Sequence, residues 1–382
     1  MISDAGSPLR ENKLDVIVVG AGPAGIGIGV ALMHAGIKNF LIVDRHEVGA
    51  SFAKWPRQMR LITPSFPTNS IGMLDLNSIA IGTSPAFSLE TEHPTGLQYA
   101  AFLQSVAAHF ELPVRSGTDV LSVEFDGDGF EVETIHGALT ARFVIWAAGE
   151  FQYPQDRPFP GSEHCLHNSL VESWSDLPDC DHLVIGGYES GMDAAIQLAR
   201  AGRNVVVLDR AETPPWRREE SDPSSSLSTY TLQRLRQKQV GERVKLARGA
   251  DVCEVRKLGA EYRVLCVSGD EFVSPARPIL ATGFRGSVQL VSELFESREE
   301  DGFPLLNEQD ESRITPGLFL AGPMVRHDNH VFCFIYKFRQ RFAVVVKTIA
   351  DRLGVPAEEL EKYRQWGMYL DDLSCCGEEC VC

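Results

Sequence analysis

The sequence predicts an α/β fold: two units of one kind, each a strand, a glycine turn and a helix on a parallel sheet, nested and followed by a cysteine-rich C-terminal tail. Three observations predict it. Leu14–Gly29, LDVIVVGAGPAGIGIG, runs an apolar strand into Gly20, Gly22 and Gly25 and then into a small-residue helix. His182–Asp193, HLVIGGYESGMD, repeats the design. Each is followed by an apolar strand ending in an acid, Asp44 at 24 positions past Gly20 and Asp209 at 23 past Gly186.

The glycines of the first turn have separate tasks. Gly20 makes the bend, Gly22 lets the backbone close on a pyrophosphate, and Gly25 lets helix and sheet touch. The helix N-terminus, opening at Pro23 and Ala24, aims free N–H groups and a positive dipole end at an anion. An acid at the spacing of Asp44 meets a ribose hydroxyl in such units. Two strands ending in Gly complete the pattern, FVIWAAG at Phe143–Gly149 and PILATGF with Gly283, and they bracket the second unit. The order therefore reads as two nested Rossmann-like domains.

At 382 residues the chain has room for about two domains. Its composition, 44% apolar and 23% charged, is that of a globular protein with a substantial core. A net charge of −16 argues against nucleic-acid or anionic-membrane partners. The opening MISDAGSPLREN carries no apolar run, and no stretch approaches the roughly 20 apolar residues of a membrane span. Of nine cysteines, five are scattered singly and four crowd into the last eight residues. That usage suits a reducing, cytoplasmic compartment.

Along the chain, residues 1–13 read as a flexible arm. A long connection from Val48 to about Glu92 follows the first unit, and a connection of that length is functional or a cover. Its position predicts that it lies near the reactive end of a bound cofactor. Thr95–Phe110 reads as a helix with Ala100, Leu103, Val106, Ala107 and Phe110 on one face. Strands are expected at 119–125, 129–134 and 141–148. The expected domains are 14–178 and 278–345 for the first unit, 179–277 for the inserted one, and 346–382 for C-terminal helices and tail. A helix is expected from Pro356 to about Tyr369, with proline in its first turn.

From Leu14 to Phe342 the chain resembles the two-dinucleotide-binding-domain flavoproteins, a group that includes low-molecular-weight thioredoxin reductases, bacillithiol-disulfide reductases and flavin monooxygenases. The resemblance implies FAD on the first unit and NADH or NADPH on the second. It places candidate flavin contacts at Gly20, Gly22, Pro23, Ala24, Gly25, Asp44, Arg45, Ser51, Phe52, Trp55, Val120, Gly149, Gly283, Gly322 and Pro323. Candidate nicotinamide contacts are Gly186, Gly187, Glu189, Ser190, Asp209 and Arg210. A helix from about Val331 would aim its N-terminus at the flavin's electron-accepting edge.

The chain departs from the family at several places. Pro323 stands where relatives carry an Asp that holds the ribityl chain. Tyr188 stands where glycine lets the backbone approach the pyrophosphate. Either the nucleotide rides higher there or Tyr188 plugs the site. Asp209 favours an unphosphorylated ribose, while Arg210, Arg217 and Arg218 could hold a 2′-phosphate. No CxxC lies in the second unit and no CxxxxC comes soon after the first turn, and Ala24 replaces the cysteine that bacillithiol reductases place there. The monooxygenase fingerprint FxGxxxH is missed by one place at Phe159–Cys165, FPGSEHC.

The candidate catalytic thiols are therefore Cys375, Cys376, Cys380 and Cys382 of the tail, with Cys333 at the start of the expected flavin-facing helix. A helix N-terminus would lower the Cys333 pKa, whereas a buried, inert cysteine is the more common case. The tail reads as a redox arm, a soft-metal binder or a disordered end, and no metal ligand is assigned. The expected function is an FAD-dependent NAD(P)H oxidoreductase reducing a small-molecule or protein disulfide through the tail. The alternatives are a flavin monooxygenase acting on nitrogen or sulfur, and a metal-binding or regulatory flavoprotein with an impaired nicotinamide site. A homodimer is left open.

Overall fold

The computed structural model describes residues 13–218 and 222–374. Most of the expected N-terminal arm, and Cys375, Cys376, Cys380 and Cys382, lie outside the described residues. The first sheet opens with β1 (Leu14–Val19), whose last four residues are buried. The helix Pro23–His34 returns the chain to β2 (Phe40–Val43), parallel to β1. The helix Gly96–His109 follows the long connection. It starts where the sequence predicts, because Thr95 and Gln98 form a reciprocal capping box. It feeds β3 (Val114–Arg115), and then β4 (Val120–Phe125), β5 (Phe130–Thr134) and β6 (Gly137–Trp146) run as an antiparallel meander.

The short β7 (Leu166–His167) leads to β8 (His182–Ile185) and the helix Glu189–Arg200 of the second unit. There β9 (Val205–Leu208) and β10 (Val244–Ala247) pair in parallel. A small antiparallel sheet of β11 (Val252–Leu258), β12 (Glu261–Cys266) and β13 (Glu271–Ser274) covers one side. Then β14 (Ile279–Leu280) inserts between β8 and β7, giving the order β10-β9-β8-β14-β7. The second sheet thus draws strands from both flanks of the span 179–277.

The first sheet, ordered β3-β2-β1-β6-β5-β4, is completed by β15 (Leu318–Leu320). The strand β6 divides its free edge in two. Residues 137–141 pair with β5, and Val144–Trp146 pair in parallel with β15. The nesting rests on that division. The main core lies between this sheet, the helix Pro23–His34 and the helix Phe342–Leu353, whose Phe342, Ala343, Val345, Val346, Ile349 and Ala350 are buried. No helix among the described residues is long and apolar enough to cross a membrane.

Two expected helices differ. The flavin-facing helix begins at Ile335 rather than Val331, because Arg326–His327 and His330–Val331 pair as a short hairpin. The C-terminal helix is reduced to short turns at Glu358–Glu361 and Lys362–Gln365, preceded by Ala357 in a left-handed conformation, φ +52°. The chain beyond is tied down instead by Arg341. Its guanidinium meets the Asp310 carboxylate at 2.9–3.0 Å and donates to the Glu308 and Leu370 carbonyls. Both members of the pair are buried. Asp310→Ala leaves that guanidinium uncompensated and should cost about 3–5 kcal/mol, read as a lowered urea midpoint at unchanged m-value.

Candidate functional site

The two glycine turns are built alike, atom for atom. Gly20 sits at φ +111°, and a Cβ there would lie 2.4 Å from the Ala147 carbonyl oxygen. Gly186 sits at φ +107°, with the Ala281 oxygen 2.3 Å from the same position. This close approach explains why both neighbouring strands end in small residues, Ala147-Ala148-Gly149 and Ala281-Thr282-Gly283. Gly25 and Gly191 each press on the carbonyl of the turn's first glycine. The acids also match. Asp44 Oδ2 accepts from the Ala21 N–H at 2.7 Å, and Asp209 Oδ2 from the Gly187 N–H at 2.9 Å. Their other oxygens accept from the His46 and Ala211 N–H groups.

In front of the first turn is a cavity of about 320 Å³, in the size range of small-molecule sites. Gly20, Gly22, Pro23, Ala24, Asp44, Ser51, Phe52, Trp55, Gly149 and Pro323 line it. A Cβ on Gly22 would meet nothing within 4 Å, so backbone N–H groups and open space face each other there. That cradle fits the pyrophosphate of a dinucleotide at a helix N-terminus. Phe52 and Trp55 pack ring to ring at 4.8 Å, and Gln152 donates to the Ser51 hydroxyl. Arg45 and Val120 lie beside a smaller cavity that shares Gly20 and Asp44. There Arg45 pairs with Asp119 at 3.2 Å and bonds the Tyr153 hydroxyl.

Gly25 presses on the Gly20 carbonyl behind the cleft, and a Cβ on Gly322 would lie 3.2 Å from the Ala24 Cβ. The Gly283 carbonyl accepts from the Gln155 N–H, and His167 Nε2 lies 3.1 Å from it. The long connection from Val48 does cover the cleft, contributing Met59 through Thr63 and Asn77 to its wall. Pattern alone did not single out Asn77, Asn168 or Glu150, and it gave Asp193 only as the end of the second motif. All four line the cavity. Buried Asn77 Oδ1, both amide atoms of Asn168 and Asp193 Oδ2 have no hydrogen-bond partner among the described residues. Burial holds the Glu150 and Asp193 carboxyls above their usual range, against Arg326 and Arg234 respectively. No local signal marks Asn77, Asn168 or Glu150, because burial and a missing partner are tertiary facts.

The second cradle differs where the sequence does. Tyr188 has the backbone of its counterpart Gly22, φ −96° against −82°, so the tyrosine is unstrained. Its hydroxyl donates to the Pro223 carbonyl at 2.9 Å. A Cβ on Gly187 would lie 2.1 Å from the Trp216 ring. Glu189 accepts from the Ser228 N–H and the Thr231 hydroxyl, while Ser190 lines the cavity. The chain's own side chains thus fill the approach to the second helix. A nicotinamide nucleotide on that cradle would meet the Trp216 ring beside Gly187 and the Tyr188 side chain where the first unit has Gly22. Arg210 is exposed next to Asp209.

Of the candidate thiols, Cys333 is the one cysteine among the described residues that lines the cavity. Its Sγ donates to Ser224 Oγ at 3.3 Å, and Lys337 donates to the same hydroxyl at 2.9 Å. Of the two readings of Cys333, the geometry favours the buried, inert thiol. Cys333 precedes the helix instead of opening it, and burial pushes its thiol above the usual value despite Ser224, Lys337 and Arg326. Near the fingerprint, Cys165 is buried and His167 is held by Ser169.

A model of the pyridine nucleotide-disulphide oxidoreductase family matches residues 17–322. Bacilliredoxin reductase Bdr of Bacillus subtilis is 24% identical over 341 residues, 88% of this chain and 97% of that protein. An uncharacterized CzcO-like oxidoreductase of Geobacillus kaustophilus is 29% identical over 193 residues, 50% of this chain. There the chain spans about half the length, 52%, of the curated relative it matches. Among solved structures, the bacillithiol disulfide reductase Bdr (YpdA) of Staphylococcus aureus aligns with a TM-score of 0.73 at 21% identity, over 90% of this chain and 99% of that one. A flavin-containing monooxygenase from Stenotrophomonas maltophilia gives 0.69 at 16%, over 90% and 100%. At such identities the structural likeness is one of fold.

Two outcomes follow from this geometry. Tyr188→Gly should tighten binding of NADH or NADPH about tenfold, roughly 1.4 kcal/mol, measured by calorimetry. Alkylation of Cys333 by iodoacetamide should be slow at neutral pH and rise through the alkaline range, because a raised pKa keeps the thiol protonated. Peptide mapping after timed labelling reads it.

Proposed function

The chain belongs to the pyridine nucleotide-disulphide oxidoreductase family and is an FAD-dependent oxidoreductase served by NAD(P)H, and we propose that it reduces a small-molecule or protein disulfide through its C-terminal cysteines. One observation carries the reading. Among the described residues a single thiol, Cys333, borders the cavity that the first glycine turn opens onto. FAD, when bound, supplies two-electron chemistry that can be matched to a dithiol.

The chain's own residues would divide the work. Gly22 and the N-terminus of the helix Pro23–His34 would hold the pyrophosphate, and Phe52 and Trp55 would exclude water from one side. Asp44 keeps the turn in shape through its bond to Ala21. Ser224 takes the Cys333 S–H as a hydrogen bond, which holds the sulfur at the cavity wall. Exchange with the acceptor would use two tail thiols. One thiolate attacks the acceptor disulfide and expels the first product thiol, and a second resolves the mixed disulfide and expels the other. Two electrons leave the tail, which ends as a disulfide. Cys375, Cys376, Cys380 and Cys382 offer several such pairs.

A chain ended at Asp372 should lose turnover with cystine and with a protein disulfide. Bleaching of its flavin by NADH or NADPH should persist. Cystine reduction that survives the truncation would overturn the tail's role. Oxygen consumption matched by a hydroxylated product, and indifferent to the truncation, would establish the monooxygenase reading instead.

A further inference from the structure

A second cavity of about 710 Å³ lies against the first and shares Ile62, Thr63 and Phe334 with it. Three parts of the chain build it: the cover segment, the helix Thr229–Leu235 of the second unit, and residues 334–340 with 365–367. Five rings line it, those of His93, Tyr230, Phe334, Tyr336 and Trp366, all half-buried. Met73 stands 59% exposed at the rim.

One wall is fixed in advance. The Tyr230 ring stacks on His93 with centroids 3.7 Å apart and planes 15° apart. The Arg234 guanidinium covers its other side at 4.1 Å and is anchored by a buried ion pair to Asp193, at 2.6 Å. Asp193 also lines the first cavity, so one ion pair positions both walls. A preorganised aromatic wall loses little freedom when a ligand arrives.

The charges at the site are otherwise engaged. Arg339 is buried and donates to the Asp75 and Ser78 carbonyls. The Leu61 carbonyl takes the Nδ1 hydrogen of His93, and burial lowers that ring's pKa. Glu92 is exposed, and its carboxylate lies 3.7 Å from His93 Nε2. The remaining polar groups include the neutral amides of Gln233, Gln340 and Gln365. Half-buried rings with a few neutral hydrogen-bonding groups describe a site for an aromatic molecule without charge.

We propose that this cavity binds an uncharged, planar aromatic compound beside the cofactor cleft. The proposal goes beyond the disulfide reading and stands whether or not the tail carries electrons. The test uses the full, flavin-loaded chain and 2-naphthol, a redox-quiet probe, followed by calorimetry. Saturable one-to-one binding is expected. Trp366→Ala and Met73→Asp should each weaken it at least tenfold, the latter by setting a carboxylate at an exposed, fold-neutral position. Naphthalene-2-sulfonate and N-methylquinolinium should bind at least tenfold more weakly than 2-naphthol. Absence of saturable binding, equal affinity for either charged probe, or affinity unchanged in both variants would overturn the assignment. Cystine turnover by the truncated chain reads the disulfide reading separately.

Discussion

The carboxylate that closes the second strand of each unit holds the glycine turn of the first. Asp44 grips the Ala21 N–H and Asp209 the Gly187 N–H, in the same geometry at two places in the chain. A charge-assisted bond of this kind is stronger than a neutral one, and here it spans two adjacent strands. It sets the turn before any ligand arrives, so the helix N-terminus behind it points at a defined spot. The cavity, its aromatic cover and the position of Gly22 all follow from that fixed point. The acids thus have a structural task beside the ribose contact that their spacing suggests.

Much of this was legible in the sequence because its causes are local. Gly20, Gly25, Gly186 and Gly191 are where backbones nearly collide, and no larger residue could sit there without displacing a carbonyl. Thr95 and Gln98 mark a helix start with their own side chains. The C-terminal helix was less legible. Pro356 and Glu358 look like a helix opening, yet the left-handed Ala357 and the Arg341 clamp redirect the chain. Tyr188 was visibly out of place in the sequence. What holds it, Pro223, lies 35 residues away, and Trp216 over Gly187 arrives from outside the motif altogether. Asn77 and Asn168 carried no signal at all, since nothing local tells a buried amide that its partner will be missing.

The two cradles illustrate how one architecture is put to unequal use. The backbones of Gly22 and Tyr188 are nearly the same, and both turns are tied by an acid. Only the side chain differs, and with it the space in front of the helix. In the first unit that space is open; in the second it is taken by the chain itself. The thiol chemistry shows the same economy, for Ala24 and the missing CxxC leave the described cleft with Cys333 alone.

The divided edge of β6 bears on how the molecule is made. Its C-terminal half waits for β15, about 170 residues further along the chain, while the whole inserted unit emerges between them. Until then the middle of the first sheet shows an open row of backbone donors and acceptors, next to Trp146. Such an edge is a template for wrong pairing, and contacts this distant in sequence form slowly. During synthesis the nascent first sheet therefore stays open to wrong pairing until β15 emerges, whereas the second sheet, whose flanking strands β7 and β14 both precede β15, can be completed first.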